Sequence, residues 1–416
     1  MKKMLALLIA FLLLLQPISL ATGFPQAAFI RNHDLWIKMG NGEIKLTDGI
    51  RAAYPKWSPD GQWIAYLSVP KDVEFAPRAG ELWLYHLDSE KHTKVSPNAS
   101  ANFSWSPKQN VLAFQSDQDL LQTATSGQAQ KIASGVINFS WLPDGTGFLT
   151  SSKAGENVYS DIVLSKFLWN QQTDRYKSHP FYTIKVGAND YFYGTSAFKW
   201  SPDRRWIAFE LVPTASLSAD SNTLSVISSD AKLFRKIDQM LNYENWFQWA
   251  PTVSQLGYIQ GVSRLATENK KFKVFNPEQN AASEFTPAGY VDRDFDWQTD
   301  QMVVVSRSKE SKGFSASERP MPSLYKLDTR TKTVMKITSP SAKEGDFRPE
   351  STGGHLLWIR TNREKANVWI ASPNGLDQKI WIQNLDLGAW YYEHWDWDQV
   401  FALYRKNITA FLPVSD

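Results

Sequence analysis

One short pattern recurs along the whole chain: an aromatic residue, a polar residue and a tryptophan, then a turn and an alternating apolar run. Its fullest copy is YPKWSPDGQWIAYLS at 54–68, where Ser58-Pro59-Asp60-Gly61 separates Trp57 from Trp63, Ile64, Ala65 and Tyr66. Proline presets one backbone angle of a turn, Asp bonds its own backbone and Gly accepts a positive φ, so the unit reads as a β-hairpin.

Further copies are Phe103-Ser104-Trp105, Phe139-Ser140-Trp141, Phe198-Lys199-Trp200, Phe247-Gln248-Trp249, Phe295-Asp296-Trp297 and Trp395-Asp396-Trp397, with Phe347-Arg348-Pro349 as a degenerate one. With Trp57 this makes eight, at an average spacing of about 49 residues, which is the length of a four-stranded propeller blade. A second hairpin lies between signatures, as in ELWLYHLDSEKHTKVS at 81–96 and SLYKLDTRTKTVMKIT at 323–338. The chain is therefore expected to be all-β, a single propeller at 22–416 with eight four-stranded blades and essentially no helix. Seven blades is the alternative, if the degenerate copy or the terminal strands form no blade of their own. The stretch at 27–47 supplies later strands without a first one, and 393–413 supplies a first strand with little after it. Their pairing would close the ring and leave no open sheet edge. The tryptophans at 57, 105, 141, 200, 249, 297 and 397 are expected to be buried between blades.

The signature resembles the TolB-like propeller repeat, also found in the propellers of prolyl-oligopeptidase-type enzymes. Its Trp-Ser-Pro-Asp-Gly-x-x-Ile-Ala-Phe pattern is matched closely at 57–66 and 200–209. The resemblance implies a fold, and one repeat type serves scaffolds, sensors and enzymes alike. The α/β domain that precedes the TolB propeller has no counterpart here, because strands begin directly after residue 21. The Gly-x-Ser-x-Gly elbow of the peptidases has none either; Gly313-Phe314-Ser315-Ala316-Ser317 lacks its final glycine.

Lys2 and Lys3, an apolar run at 4–15 and the small residues Ser19 and Ala21 read as a secretory signal peptide at 1–21. The run is short for a membrane span, which takes about 20 residues. The expected location is secreted or extracytoplasmic, with a membrane anchor only if the signal segment stays uncleaved. The formal charge of +3 drops by two when the signal leaves, and both signs are interspersed, so nothing favours nucleic acid as a partner. No Cys is present, which removes disulfides and thiol chemistry. A monomer without cofactor or metal is expected.

Chemistry is sparse by comparison. The six His show no metal-ligand spacing, and no phosphate-cradling Gly-rich loop exists. Asp292, Asp294, Asp296 and Asp300 imitate a calcium loop, but Asp294 and Asp296 flank Phe295 within a strand. The informative segments are the lead-ins to signatures four to eight, which lie near the axis on one face of a propeller. They carry Tyr191 and Tyr193; Tyr243 and Glu244; Tyr290, Asp292 and Asp294; Asp346; and Tyr392, Glu393 and His394. Aromatics beside carboxylates suit a ligand surface, and these are the candidate binding residues. Long polar loops at 69–80, 211–220 and 308–322 should rim the same face. The polar residue before each tryptophan (Lys56, Ser104, Ser140, Lys199, Gln248, Asp296, Arg348, Asp396) should line the channel. The leading expectation is a non-catalytic propeller binding a protein, peptide or glycan ligand. The alternative is a carbohydrate-active hydrolase or lyase using two funnel carboxylates, such as Asp292 or Asp294 with Glu393 or Asp346.

Overall fold

The ring is built from eight antiparallel sheets, each adding strands outward from a first strand beside the central channel. The structure is a computed structural model that describes residues 24–70, 79–214, 216–313 and 315–405. The signal segment at 1–21 and most of the loop at 69–80 lie outside the described residues. The first strands of blades 1 to 3 are Ala52–Trp57, Phe103–Trp105 and Asn138–Trp141. Blade 4 begins with a broken strand, Phe192–Thr195 and Lys199–Trp200. Blades 5 to 7 begin with Phe247–Trp249, Tyr290–Trp297 and Gly345–Thr352.

Blade 8 joins the two ends of the chain. Phe401–Leu403 pairs with Gln26–Arg31, Phe401 facing Phe29 and Leu403 facing Ala27, and Asp34–Met39 and Gly42–Lys45 complete the sheet. Eight blades and closure by the termini are thus as the repeats predict. The eighth signature is not. Its strand is Phe401-Ala402-Leu403, and Trp395-Asp396-Trp397 belongs to a segment that crosses the channel mouth ahead of it.

The Ser-Pro-Asp turn repeats its bonds as well as its letters. Ser58 Oγ donates to Asp60 at 2.6 Å and accepts from the Trp63 N–H at 2.9 Å; Ser201, Asp203 and Trp206 do the same at 2.6 and 3.0 Å. Gly61 is needed at the closing junction, where its φ is +73° and a Cβ would stand 2.7 Å from the Tyr404 ring.

The signature tryptophans act as staples between blades. The indole N–H of Trp57 donates to the Ala402 carbonyl, Trp105 to Lys56, Trp141 to Ser104, Trp249 to Lys199 and Trp297 to Gln248, over 2.8–3.2 Å. Each acceptor lies just before the corresponding residue of the preceding blade, so at these five junctions one side chain links neighbouring blades. Of the seven tryptophans expected to be buried between blades, Trp141 and Trp297 are, and Trp397 is buried in the segment at the channel mouth; Trp57, Trp105, Trp200 and Trp249 are half-buried, contrary to the expectation of full burial. Apolar strand faces fill the space between blades, as where Ala208, Leu224 and Val226 of blade 4 meet Phe247, Leu256 and Tyr258 of blade 5. Helix is confined to one turn at Leu217–Asp220 and three short 3-10 turns among the described residues.

Candidate functional site

Between the outer strand of blade 7, Lys379–Leu385, and the first strand of blade 8, fifteen residues (386–400) cross the mouth of the channel. They form a hairpin, Trp390–Tyr391 against His394–Trp395, followed by a 3-10 turn at Trp397–Gln399. This hairpin pairs with no blade. Trp395 and Trp397 anchor it by stacking on one another at 5.8 Å and packing on Phe347. The aromatic spacing that imitates a signature is in fact the foot of a plug.

The plug is tied to four blades by polar groups. Asp396 accepts from the Tyr54 hydroxyl of blade 1 at 2.8 Å. Asp398 accepts from Asn245, ahead of blade 5, at 2.8 Å, and from the Arg348 guanidinium of blade 7 at 2.5 Å. Tyr243 lies flat on His394, centroids 3.5 Å apart, with Trp246 edge-on at 5.5 Å. The Trp246 N–H in turn donates to Asp294 of blade 6. Burial works against ionisation of Asp398, but the Arg348 charge outweighs it and holds the carboxyl below its ordinary range. Asp396 goes the other way, raised by burial and then by the neighbouring Asp398 charge. Burial, reinforced by Arg293, pushes His394 down to about 3, so its imidazole is neutral at pH 7.

At the tip, Tyr392 and Glu393 have φ of +46° and +70° between the paired residues Tyr391 and His394. That is the geometry of a type I′ turn, which favours Asn-Gly because both central residues need a positive φ. A Tyr-Glu pair stores strain there, roughly 1–3 kcal/mol per residue. Three arginines oppose it. Glu393, 1% exposed, accepts from Arg363 at 3.0 and 3.2 Å and faces Arg293 at 3.5 Å and Arg319 at 3.6 Å. Arg293 also donates to the Glu393 carbonyl, and the Ala266 N–H to the Tyr392 carbonyl at 3.1 Å.

Below the plug the channel forms a cavity of about 620 Å³. Six of the residues expected to line it do so: Lys56, Ser104, Lys199, Gln248, Asp296 and Arg348. Ala402 takes the place expected of Asp396, and Ser140 accepts from the Phe198 N–H. Lys56 and Lys199 donate to backbone carbonyls of the next blade, Lys56 to Ala101 and Phe103, Lys199 to Glu244 and Phe247. Burial lowers the pKa of both, against the pull of Glu244 and Asp398.

The structure brings Tyr243, Asp294, Tyr392, Glu393 and His394 together around the plug and places the other candidates elsewhere. Asp292 is locked in a fork with Arg307, both bonds 2.7 Å, and Asp346 in a matching fork with Arg360 at 2.6 and 3.0 Å. Tyr290 stands at the outer start of its strand, near Tyr325. Glu244 is exposed, with its carbonyl holding Lys199. Tyr191 and Tyr193 are exposed on the lead-in to blade 4, Tyr191 edge-on to Tyr159 at 5.8 Å. Sequence reasoning missed Arg293, Arg319 and Arg363, whose partner lies 30 to 100 residues away. Among the described residues no group of three or more His, Asp or Glu is placed to hold a metal ion.

Loops between second and third strands surround the plug. Arg264 binds Asp220 in a fork at 2.5 and 2.8 Å, Glu310 accepts from the Asn269 N–H at 2.8 Å, and Arg363 donates to the Arg319 carbonyl at 2.9 Å. These links join blades 4, 5, 6 and 7 into one canopy, on the side that the lead-in aromatics single out.

No protein-family model matches this chain, and no curated protein does. Solved structures do match. Dipeptidyl peptidase 4 of Porphyromonas gingivalis superposes with a TM-score of 0.58 at 9% identity, over 88% of this chain and 58% of that one. Dihydro-heme d1 dehydrogenase NirN gives 0.55 at 14%, over 86% and 73%. A puromycin hydrolase gives 0.50 at 13%, over 82% of this chain and only 54% of its own length. At such identities the likeness shows the propeller fold alone.

Proposed function

We propose that the protein is a secreted or surface-anchored, non-catalytic propeller that binds a protein, peptide or glycan on the plugged face. One observation carries this reading. Tyr191, Tyr193, Trp390, Tyr391 and Tyr392 are between 37% and 48% exposed on a face otherwise held rigid by ion pairs. Large rings left in water on a fixed scaffold offer contact area at little entropic cost, which is what a binding surface needs. The carboxylates support the same reading: Asp292, Asp346 and Glu393 have their oxygens held by arginines, and Asp294 by Trp246 and the Arg348 N–H. The test is binding of a purified partner to the wild type and to a Tyr191→Ala, Tyr392→Ala double variant. Unchanged affinity in a folded double variant would overturn the reading.

A second reading, a carbohydrate-active hydrolase or lyase, draws on one feature. Asp294 and Asp296 both border the channel cavity, and burial raises both, Asp294 to about 6. A carboxyl that keeps its proton near neutrality suits a general acid. Turnover of an oligosaccharide that Asp294→Asn abolishes would favour it; no turnover across neutral and acidic glycans would remove it.

A further inference from the structure

We propose that Arg293, Arg319 and Arg363 form a recognition site for a ligand carboxylate, and that Glu393 fills it as an internal substitute which the ligand displaces. This deepens the binding reading above and rests on it. Three features carry the argument.

The first is an excess of cationic donors. Three guanidinium groups from separate parts of the chain converge on one carboxylate, and the two acids adjacent to Arg293 in sequence are already engaged, Asp292 by Arg307 and Asp294 by Trp246 and the Arg348 N–H. Arg293 is 1% exposed, yet its Nε has no acceptor. Once Glu393 withdraws, Nη2 joins that unpartnered Nε, and the two together offer the forked donor pair with which arginine binds carboxylates best.

The second feature is how Glu393 is delivered. It sits on a two-residue turn with both residues at positive φ, neither of them Gly or Asn, in a hairpin that joins no blade. Withdrawing it relieves the turn and tears no blade sheet. Strain of this sort, held in place by surrounding contacts, marks segments with a second position available.

The third is continuity with the exposed rings. Trp390 and Tyr392 stack at 6.3 Å, Tyr391 meets Tyr392 at 4.7 Å, and Arg264 lies over Tyr392 at 5.6 Å. A ligand held by these rings would have its acidic group beside the arginine cluster. The same movement that frees the cluster would lift the plug and open the channel to this face.

The probes are acetyl-Tyr-Glu-Tyr amide, its glutamine analogue, a glucuronate disaccharide and the methyl ester of that sugar. Calorimetric titration of the full chain is expected to show that Glu393→Gln binds at least one carboxylate probe about tenfold or more tighter than the wild type, with the neutral analogues unaffected. Adding Arg363→Ala to that variant is expected to abolish the gain. Which acidic probe responds separates a peptide source from a uronic acid. A second measurement covers a variant that fails to fold: the acidic probe should speed hydrogen exchange of the 390–395 amides in the wild type. No gain in Glu393→Gln together with unchanged exchange overturns the proposal. If the tyrosine double variant still loses its partner in that case, the binding reading stands without it; if that variant also binds normally, both fall.

Discussion

The indole N–H of Trp105 in blade 2 donates to the carbonyl of Lys56 in blade 1, 3.0 Å away. Trp200 occupies the same signature position in blade 4, yet its N–H is buried without an acceptor. The two therefore differ in what phenylalanine would remove. Trp105→Phe keeps most of the ring and loses the bond, with an expected cost of about 1 kcal/mol. Trp200→Phe discards only an unsatisfied donor and should be neutral or slightly stabilising. Either residue changed to Ala should cost about 3 kcal/mol, the low end for a large aromatic because both are half-buried. Urea unfolding of the four variants checks the set.

The forks Asp292–Arg307 and Asp346–Arg360 sit between the first and second strands of successive blades, with all four side chains buried. Removing one partner strands the other charge out of water. Asp346→Ala should cost about 3–5 kcal/mol, and a double change of Asp346 and Arg360 to apolar residues should recover most of it. A double-mutant cycle in thermal or denaturant unfolding measures the recovery. Equal losses for the single and double variants would mean that packing, not charge, sets the cost.

These forks show why the site was less legible than the fold. The hairpin unit around Trp57 is local: turn, alternation and aromatic all fall within 15 residues, so its repetition predicts blades. Even the error at blade 8 has a local cause. Trp395-Asp396-Trp397 carries the signature's letters, while the true strand Phe401-Ala402-Leu403 keeps only its Phe. That blade manages without the tryptophan because Tyr404 packs on Trp57 at 5.5 Å and its hydroxyl donates to the Pro59 carbonyl. Acidic residues at 292, 346 and 393 look alike as letters. What separates them is an arginine across a strand or across the ring, which only the fold supplies.

Acid should act on the plug through two opposed groups. His394 is held near 3, against an ordinary value of about 6.5 in the unfolded chain, so between those pH values the unfolded state binds the extra proton. Stability is lost as pH falls through that window. Asp396, raised by burial and by Asp398, is protonated more readily in the folded state; the stability it contributes is present below about pH 3.9 and lost as pH rises through its folded value. His394→Phe keeps the stack on Tyr243 and should retain up to about 4 kcal/mol more of its neutral stability at pH 3.5 than the wild type does. Asp396→Asn should stabilise the protein at pH 7 and leave it more acid-sensitive. Urea midpoints at pH 7, 5 and 3.5 give both comparisons.

Two tyrosines that look equivalent in the sequence should part company in binding. Tyr290 and Tyr392 each stand ahead of a signature beside acidic residues. In the structure Tyr392 is exposed at the tip of the plug, between Trp390 and Arg264, whereas Tyr290 lies half-buried near Tyr325 at the outer start of its strand. A ligand on the aromatic face would touch the first and miss the second. Tyr392→Ala should then weaken binding of a purified partner by about 1–2 kcal/mol, and Tyr290→Ala should leave it unchanged, both variants remaining folded. The reverse result in a surface binding assay would move the site to the edge of blade 6, where the 308–322 loop begins.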